Sequence, residues 1–257
     1  MLRTAEELRD LVEAYLAELA LTSELGGLTQ AVRYALEGGG KRVRHVICLA
    51  TGEAAGSDPR AILPAAAALE FVHAFSLVHD DLPALDNDEL RRGRASTWAQ
   101  FGEANAILAG DALVVEAFRL ALAYPSPAVA RELAEATQGM IGGQYLDIHG
   151  ETHDLAALHR LKTGRLFAAS VGCALWAADV PEAEQAPWRA FGDELGLLFQ
   201  IVDDILDEDG YYVSHGVEEA RKLADEAADR AHARLGEIEA DTSVLDGIVS
   251  SLAVRTR

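Results

Sequence analysis

The sequence predicts an all-α fold, and three observations predict it. Apolar residues recur at spacings of three and four along most of the chain, the period of a helix packed on one side. Ala, Leu and Glu, all strong helix formers, are abundant, whereas Pro numbers only 7 and aromatic residues make up 6%. Alternating runs of Val, Ile and Thr, the mark of half-buried strands, are hard to find. The length of 257 residues, with 50% hydrophobic, allows a sizeable core without disulfide or metal staples.

The periodicity places helices at 4–21, 28–37, 41–56, 59–82, 103–123, 126–148, 155–178, 185–208, 215–238 and 243–254. The first, within MLRTAEELRDLVEAYLAEL, is acidic and amphipathic and lacks the basic-then-apolar order of a signal peptide. The third follows a run of glycines, Gly38-Gly39-Gly40. The fourth opens at Pro59 behind Ser57-Asp58, a helix-start pattern. Tyr124-Pro125-Ser126-Pro127 and Val180-Pro181 separate later helices. Two helices read as buried on every face, which puts them in the middle of a bundle. Leu63 to Val78 carries only Glu70 and His73 as titratable groups, and Leu195 to Leu206 is apolar until Asp203-Asp204. No low-complexity linker or repeat interrupts the pattern, so 1–257 is expected to be a single all-helical domain.

Composition excludes whole classes of partner. A net charge of −20 argues against nucleic acid, which needs a basic face, and against a polybasic membrane anchor. No run of about 20 uninterrupted apolar residues occurs, so no bilayer span is expected. Cys48 and Cys173 cannot make a disulfide framework and sit among apolar neighbours. A reducing, cytoplasmic location is the default.

Both buried helices end in aspartates. The first cluster runs His79-Asp80-Asp81-Leu82-Pro83-Ala84-Leu85-Asp86-Asn87-Asp88. Pro83 cannot continue a regular helix, so the chain should loosen there and let Asp86 turn back toward Asp80. The second is Asp203-Asp204-Ile205-Leu206-Asp207. Helical spacing of three and four sends its three carboxylates to neighbouring parts of one face. Carboxylates this close repel one another and raise each other's pKa. A divalent cation removes the conflict, and an all-oxygen set suits Mg²⁺, which shares its shell with waters and substrate phosphates. One such cluster is more often a solvated helix end; two, each ending a buried helix, are not.

Basic groups are scarce and concentrated beside glycines: Gly38-Gly39-Gly40-Lys41-Arg42-Val43-Arg44, Arg91-Arg92-Gly93-Arg94 and Lys162-Thr163-Gly164-Arg165. Glycines ahead of a helix start offer backbone N–H groups to a phosphate. Together with the acids they describe a site for Mg²⁺ and diphosphate.

With these motifs in order, the chain resembles the trans-isoprenyl diphosphate synthases, or polyprenyl synthases. The resemblance runs through GGGKRVR at 38–44, HDDLPALDNDELRRG at 79–93, FGEANAILAGDAL at 101–113, GMIGGQYLDI at 139–148, LKTGRLF at 161–167 and FQIVDDILD at 199–207. It implies an isoprenoid synthase helical bundle around an apolar cavity, a homodimer, and three Mg²⁺ ions per active site. It implies that Asp80, Asp81 and Asp86 bind two of those ions on an allylic diphosphate, and that Asp203, with Asp204 and Asp207 in support, binds the third. Arg91, Lys162 and Thr163 would contact the allylic diphosphate. Gly40, Lys41, Arg44 and Arg92 would serve isopentenyl diphosphate. Phe199, Gln200 and Gln144 would lie near the reacting carbons. Phe75, five residues before Asp80, would be the floor of a farnesyl-length cavity, although a geranylgeranyl product stays open. The implied reaction is head-to-tail prenyl transfer, which needs no nucleophile, and the sequence offers no Ser/His/Asp or Cys/His arrangement.

The chain departs from the family's pattern in four places. His45 replaces a proline, and Ala95 and Trp98 stand where Pro and His are usual, so Trp98 is expected to lose a polar contact. After Asp207 the lysine- and aspartate-bearing lid loop is short: Glu208-Asp209-Gly210-Tyr211-Tyr212 leads straight on. Two accounts stay open, a deleted loop or a segment omitted from the sequence. Three other readings compete. A class I terpene cyclase would pair one aspartate motif with an Asn/Ser/Glu motif, not with Asp203-Asp204-Ile205-Leu206-Asp207. A non-catalytic helical subunit would keep the fold without turnover. A di-metal bundle would use Glu-x-x-His, but Glu70-Phe71-Val72-His73 is a single copy where two are needed. His73 therefore reads as a hydrogen-bonded core histidine.

Overall fold

The structure, a computed structural model, describes residues 2–37, 42–150, 158 and 160–255. Its helices are α1 (Ala5–Glu18), α2 (Thr29–Leu36), α3 (Val43–Ala54), α4 (Pro59–Asp80), α5 (Thr97–Phe101) and α6 (Glu103–Ala121). They continue with α7 (Ala128–His149), α8 (Arg165–Ala177), α9 (Ala186–Asp207), α10 (Gly210–His215), α11 (Val217–Gly236) and α12 (Ser243–Val254). Local chemistry sets several boundaries. Thr4 and Glu7 close a capping box on α1, and the Asp58 side chain accepts from the Arg60 N–H ahead of Pro59.

α4 is the central element. It packs on α6, α3, α8 and α1, and α9 packs on α11 and α8. The buried apolar residues form one cluster running from Leu8 to Leu252. Among the described residues α4 alone is long and apolar enough, by length and composition, to cross a bilayer. Its apolar stretch is 67% buried inside the bundle, as a core helix requires. The ten predicted helices are present, each starting or ending within a few residues of its place, with one exception. Within the helix expected at 155–178, Leu158 is helical, a wide π-type turn runs over Arg160–Gly164 and α8 begins at Arg165; 155–157 and 159 lie outside the described residues. The sequence reading missed α5, α10 and a small antiparallel hairpin pairing Leu90 with Ala95 and Arg91 with Arg94. Elements of two to six residues are too short to display a period.

Glycines set two close approaches. A Cβ on Gly143 of α7 would stand 2.5 Å from the Lys162 backbone nitrogen, so only glycine lets the Lys162 turn lie against α7. A Cβ on Gly110 of α6 would stand 2.0 Å from Nε2 of His79, which seats the end of α4 on α6.

Candidate active site

α4, α7, α8 and α9 enclose a cavity of about 440 Å³. Small-ligand sites typically span roughly 300–1,000 Å³. Asp80 from the end of α4 and Asp203 from the end of α9 both line it. So do Arg44, Lys162, Thr163 and Gln144, while Phe75, Met140 and Leu166 supply apolar wall. Seven residues predicted from five separate stretches of sequence thus meet in one space. Gly40 and Lys41 lie outside the described residues.

The first aspartate segment folds back as its sequence suggests. The Asp86 N–H donates to the Asp80 carbonyl at 2.9 Å, and the Asp88 N–H to that of Asp81 at 3.1 Å. Burial, with the Asp86 carboxylate nearby and Lys162 opposing, pushes Asp80 up to about 6. An acid raised in this way sits where a cation is wanted. Asp81 behaves differently: it is buried and faces Arg91, whose Nε donates to its Oδ1 at 2.9 Å. Arg91 also reaches Asp88. Neither Asp81 nor Arg91 lines the cavity, which corrects their expected places. Their pair holds the segment's shape.

The second cluster divides likewise. Successive residues of a helix point about 100° apart, so Asp203 faces the cavity and Asp204 turns inward. Asp204 is buried and accepts from Gln200 Nε2 at 2.5 Å and from the Tyr211 N–H at 2.8 Å. Its carboxylate ties the end of α9 to α10 and does not face the cavity, and Gln200 is drawn away with it. Asp207 is exposed at the helix terminus. The expectation that all three carboxylates share one face is thereby corrected. Phe199 packs on Phe167 with ring centroids 4.3 Å apart, outside the cavity lining.

Arg44 is half-buried, with its guanidinium 4.3 Å from the Phe167 ring centroid and 5.6 Å from that of Phe199. Burial lowers it to about 10, and its Nε has no hydrogen-bond partner. The Gln144 Oε1 is likewise buried and unpartnered. Unpaired buried polar atoms aimed into a cavity favour a ligand there. The charges of Arg92 and Asp203 both act on Arg44, although Arg92 itself is exposed beyond the cavity lining.

Two residues escaped the sequence reading. His73, taken for a core histidine, lines the cavity, and burial lowers it to about 3, so it is neutral. Its place could have been read from its position on α4, seven residues or about two turns before Asp80 and so on the same face. Asp147 on α7 pairs with Lys162 at 2.5 Å and holds that ammonium at the cavity. Glu70 makes no metal site: it pairs with Arg42 and lies 3.0 Å from His45 Nδ1.

A family model described as polyprenyl synthetase matches residues 26–216. The chain belongs to the polyprenyl synthetase family. It is 42% identical over 200 residues to a farnesyl diphosphate synthase of Geobacillus stearothermophilus, covering 71% of this chain and 67% of the relative. It is 39% identical over 192 residues to a geranylgeranyl diphosphate synthase of Cyanophora paradoxa, covering 69% and 64%. A geranyltransferase structure from Legionella pneumophila superposes with a TM-score of 0.87 at 31% identity, over 98% of this chain and 96% of that one.

Against the polyprenyl synthetase pattern, two departures take physical form. Trp98 keeps a polar role: its Nε1 donates to the Asp88 carbonyl at 2.9 Å, which corrects the expected loss. The lid region is minimal, since only Glu208 and Asp209 separate α9 from α10. Among the described residues, no group of three or more His, Cys, Asp or Glu converges as a ready cage, so the expected six-carboxylate set is not preassembled. Mg²⁺ does not require one. It keeps waters and takes one or two carboxylates plus substrate oxygens, and Asp80 and Asp203 present carboxylates to one cavity.

Proposed function

We propose that this chain is a short-chain trans-prenyltransferase that condenses isopentenyl diphosphate with an allylic diphosphate to farnesyl or geranylgeranyl diphosphate. One observation carries the reading: a single cavity joins carboxylates from the ends of two buried helices to Arg44, Lys162 and Thr163 and to an apolar wall. Asp80, Asp86 and Asp203 would hold Mg²⁺, three ions in all, which offsets the diphosphate charge and helps the leaving group depart. Lys162, released from Asp147, and Thr163 bind the allylic diphosphate. Arg44 and Arg92, with Lys41, bind isopentenyl diphosphate. Neutral His73 can donate one hydrogen bond beside Arg44 without adding charge.

Phe75, Met140 and Leu166 keep water from the allylic cation formed as the carbon–oxygen bond breaks. The isopentenyl double bond adds to that cation, and the departed diphosphate takes the proton lost from the adduct. Phe75 stands edge-on to His79, with centroids 5.0 Å apart, and limits product length toward farnesyl. The chain works as one domain and as a homodimer paired through α6.

The test is product analysis by mass spectrometry with Mg²⁺, isopentenyl diphosphate and dimethylallyl, geranyl or farnesyl diphosphate in turn, with and without EDTA. A Mg²⁺-dependent product longer than its primer is expected. Cyclic hydrocarbon would identify a cyclase instead, and no product with any primer would identify a non-catalytic subunit.

A further inference from the structure

The segment Arg91-Arg92-Gly93-Arg94 has one member that the reaction leaves without a role. Arg94 lies on the second strand of the small hairpin, opposite Arg91. Its Nη1 donates to the Glu37 carbonyl at the end of α2 at 3.1 Å, and its guanidinium lies 4.2 Å from the Tyr34 ring centroid. Tyr34 in turn donates its hydroxyl proton to the Ala95 carbonyl at 2.7 Å, and its ring meets Phe101 edge-on at 5.2 Å. The hairpin is thus tied to α2 by a charge-assisted hydrogen bond, a cation–π contact and a neutral hydrogen bond.

The tie matters because of what the hairpin carries between its strands. Arg92 has a left-handed backbone, with φ 54°, and its charge acts on both Arg44 and His73. Arg92 lies on the turn between the two strands and lines one groove with Tyr34 and Arg94, so where the hairpin is held sets where Arg92 stands before an anion arrives. Donors preorganised in this way lose less entropy on binding. The first strand has its own anchors, Arg91 to Asp81 and Asp88, and Trp98 to the Asp88 carbonyl. The two halves of the hairpin are therefore secured separately.

We infer that Arg94 and Tyr34 are positioning residues that hold the hairpin on α2 and so keep Arg92, on its turn, in place for isopentenyl diphosphate. This rests on the prenyltransferase reading. Losing a charge-assisted hydrogen bond is worth about tenfold in affinity. Arg94→Ala should raise KM for isopentenyl diphosphate about tenfold while leaving kcat and the allylic KM within about twofold. Arg94→Lys, which keeps a cation over Tyr34, should recover part of the loss, and Tyr34→Phe should raise the same KM by about threefold.

A merely structural role would lower Tm and kcat without this split. An unchanged isopentenyl KM, or an equal rise for both substrates, would overturn the inference. If Arg94→Ala does not fold, Tyr34→Phe decides by the same criterion. Calorimetric binding of isopentenyl diphosphate separates the two levels. A wild-type protein that binds without turning over sinks the prenyltransferase reading, and the Kd ratio of wild type to Arg94→Ala then decides the inference. A wild-type protein that does not bind overturns both.

Discussion

Glu70 is a carboxylate buried beneath the active site, and its energetics can be tested. Burial works to raise it, but His45, His73 and Arg42 outweigh that and hold it at about 2, against an ordinary 4.5. A carboxylate lowered by folding stabilises the protein above its unfolded pKa, and that contribution is lost as pH falls from about 4.5 toward 2. Glu70→Gln takes one of two carboxylates from buried Arg42, which keeps Glu13, so it should cost about 1–3 kcal/mol at neutral pH. Urea titrations at pH 7, 4 and 3 should show the gap to wild type narrowing in acid; a constant gap would refute the pairing. The aspartates facing the cavity should behave in the opposite way. Asp80→Ala and Asp203→Ala should each lower turnover by a factor of about a thousand or more with Tm kept, because each removes a carboxylate that faces the cavity. Near-normal turnover in either would remove it from the metal site. At this scale the sequence was legible where a motif fixes both residue type and depth, as for Asp80, Asp203, Lys162 and Phe75. It was not legible where rotation about a helix axis decides. Spacing alone cannot say that Asp203 faces the cavity while Asp204 is spent on Gln200 and Tyr211. Nor can it pair Asp147 with Lys162 across two helices.

Among the elements, the long helices were legible because each has three or more turns in which a buried stripe repeats, and because Pro59 and Asp58 punctuate the start of α4. The short connections were not, although they shape the site. The hairpin over Leu90–Ala95 carries the arginines, and the π-type turn over Arg160–Gly164 presents Lys162 and Thr163. That turn depends on its partner helix. A Cβ on Gly143 would stand 2.8 Å from the Lys162 Cα as well as close to its nitrogen, and backbone cannot swing aside as a side chain can. Gly143→Ala should therefore push the turn off α7, at about 1–3 kcal/mol of stability. Displacing Lys162 by even an ångström should also cost roughly a hundredfold in kcat/KM for the allylic diphosphate. Gly142→Ala is the internal control, since nothing lies within 4 Å of a Cβ there. Equal activity in the two variants would show that the close approach at Gly143 does not position the site.

For the whole molecule, the question is what covers the outer face of α6. This helix seats its inner face on α4, with Ala106, Ala109, Leu113 and Ala117 fully buried. Its outer face mixes large apolar side chains with a few charges. Leu108 is 52% exposed, Val115 67% and Leu122 60%, and these three recur every seven residues, with Ile107 beside the first at 45%. A stripe repeating at seven along one helix is the seam of a helix–helix contact, and contiguous apolar surface of this kind marks an interface. Two charges, Asp111 and Arg119, lie on the same face between these residues and set the polar edge of the seam. A second copy of the chain is the simplest occupant, because one two-fold axis lets the same stripe cover itself. The protein should therefore elute and scatter light as a dimer at micromolar concentration. Val115→Glu places a charge in the seam and should shift it to a monomer, while Glu103→Gln, at the helix start, should leave it dimeric. α6 also supports His79, which contacts the Ile107 carbonyl at 3.1 Å, directly before Asp80. Loosening the interface should for that reason lower turnover as well as mass, with activity rising again as protein concentration is increased. A monomeric wild type, or a monomeric Val115→Glu with full activity, would refute this coupling of the dimer seam to the catalytic end of α4.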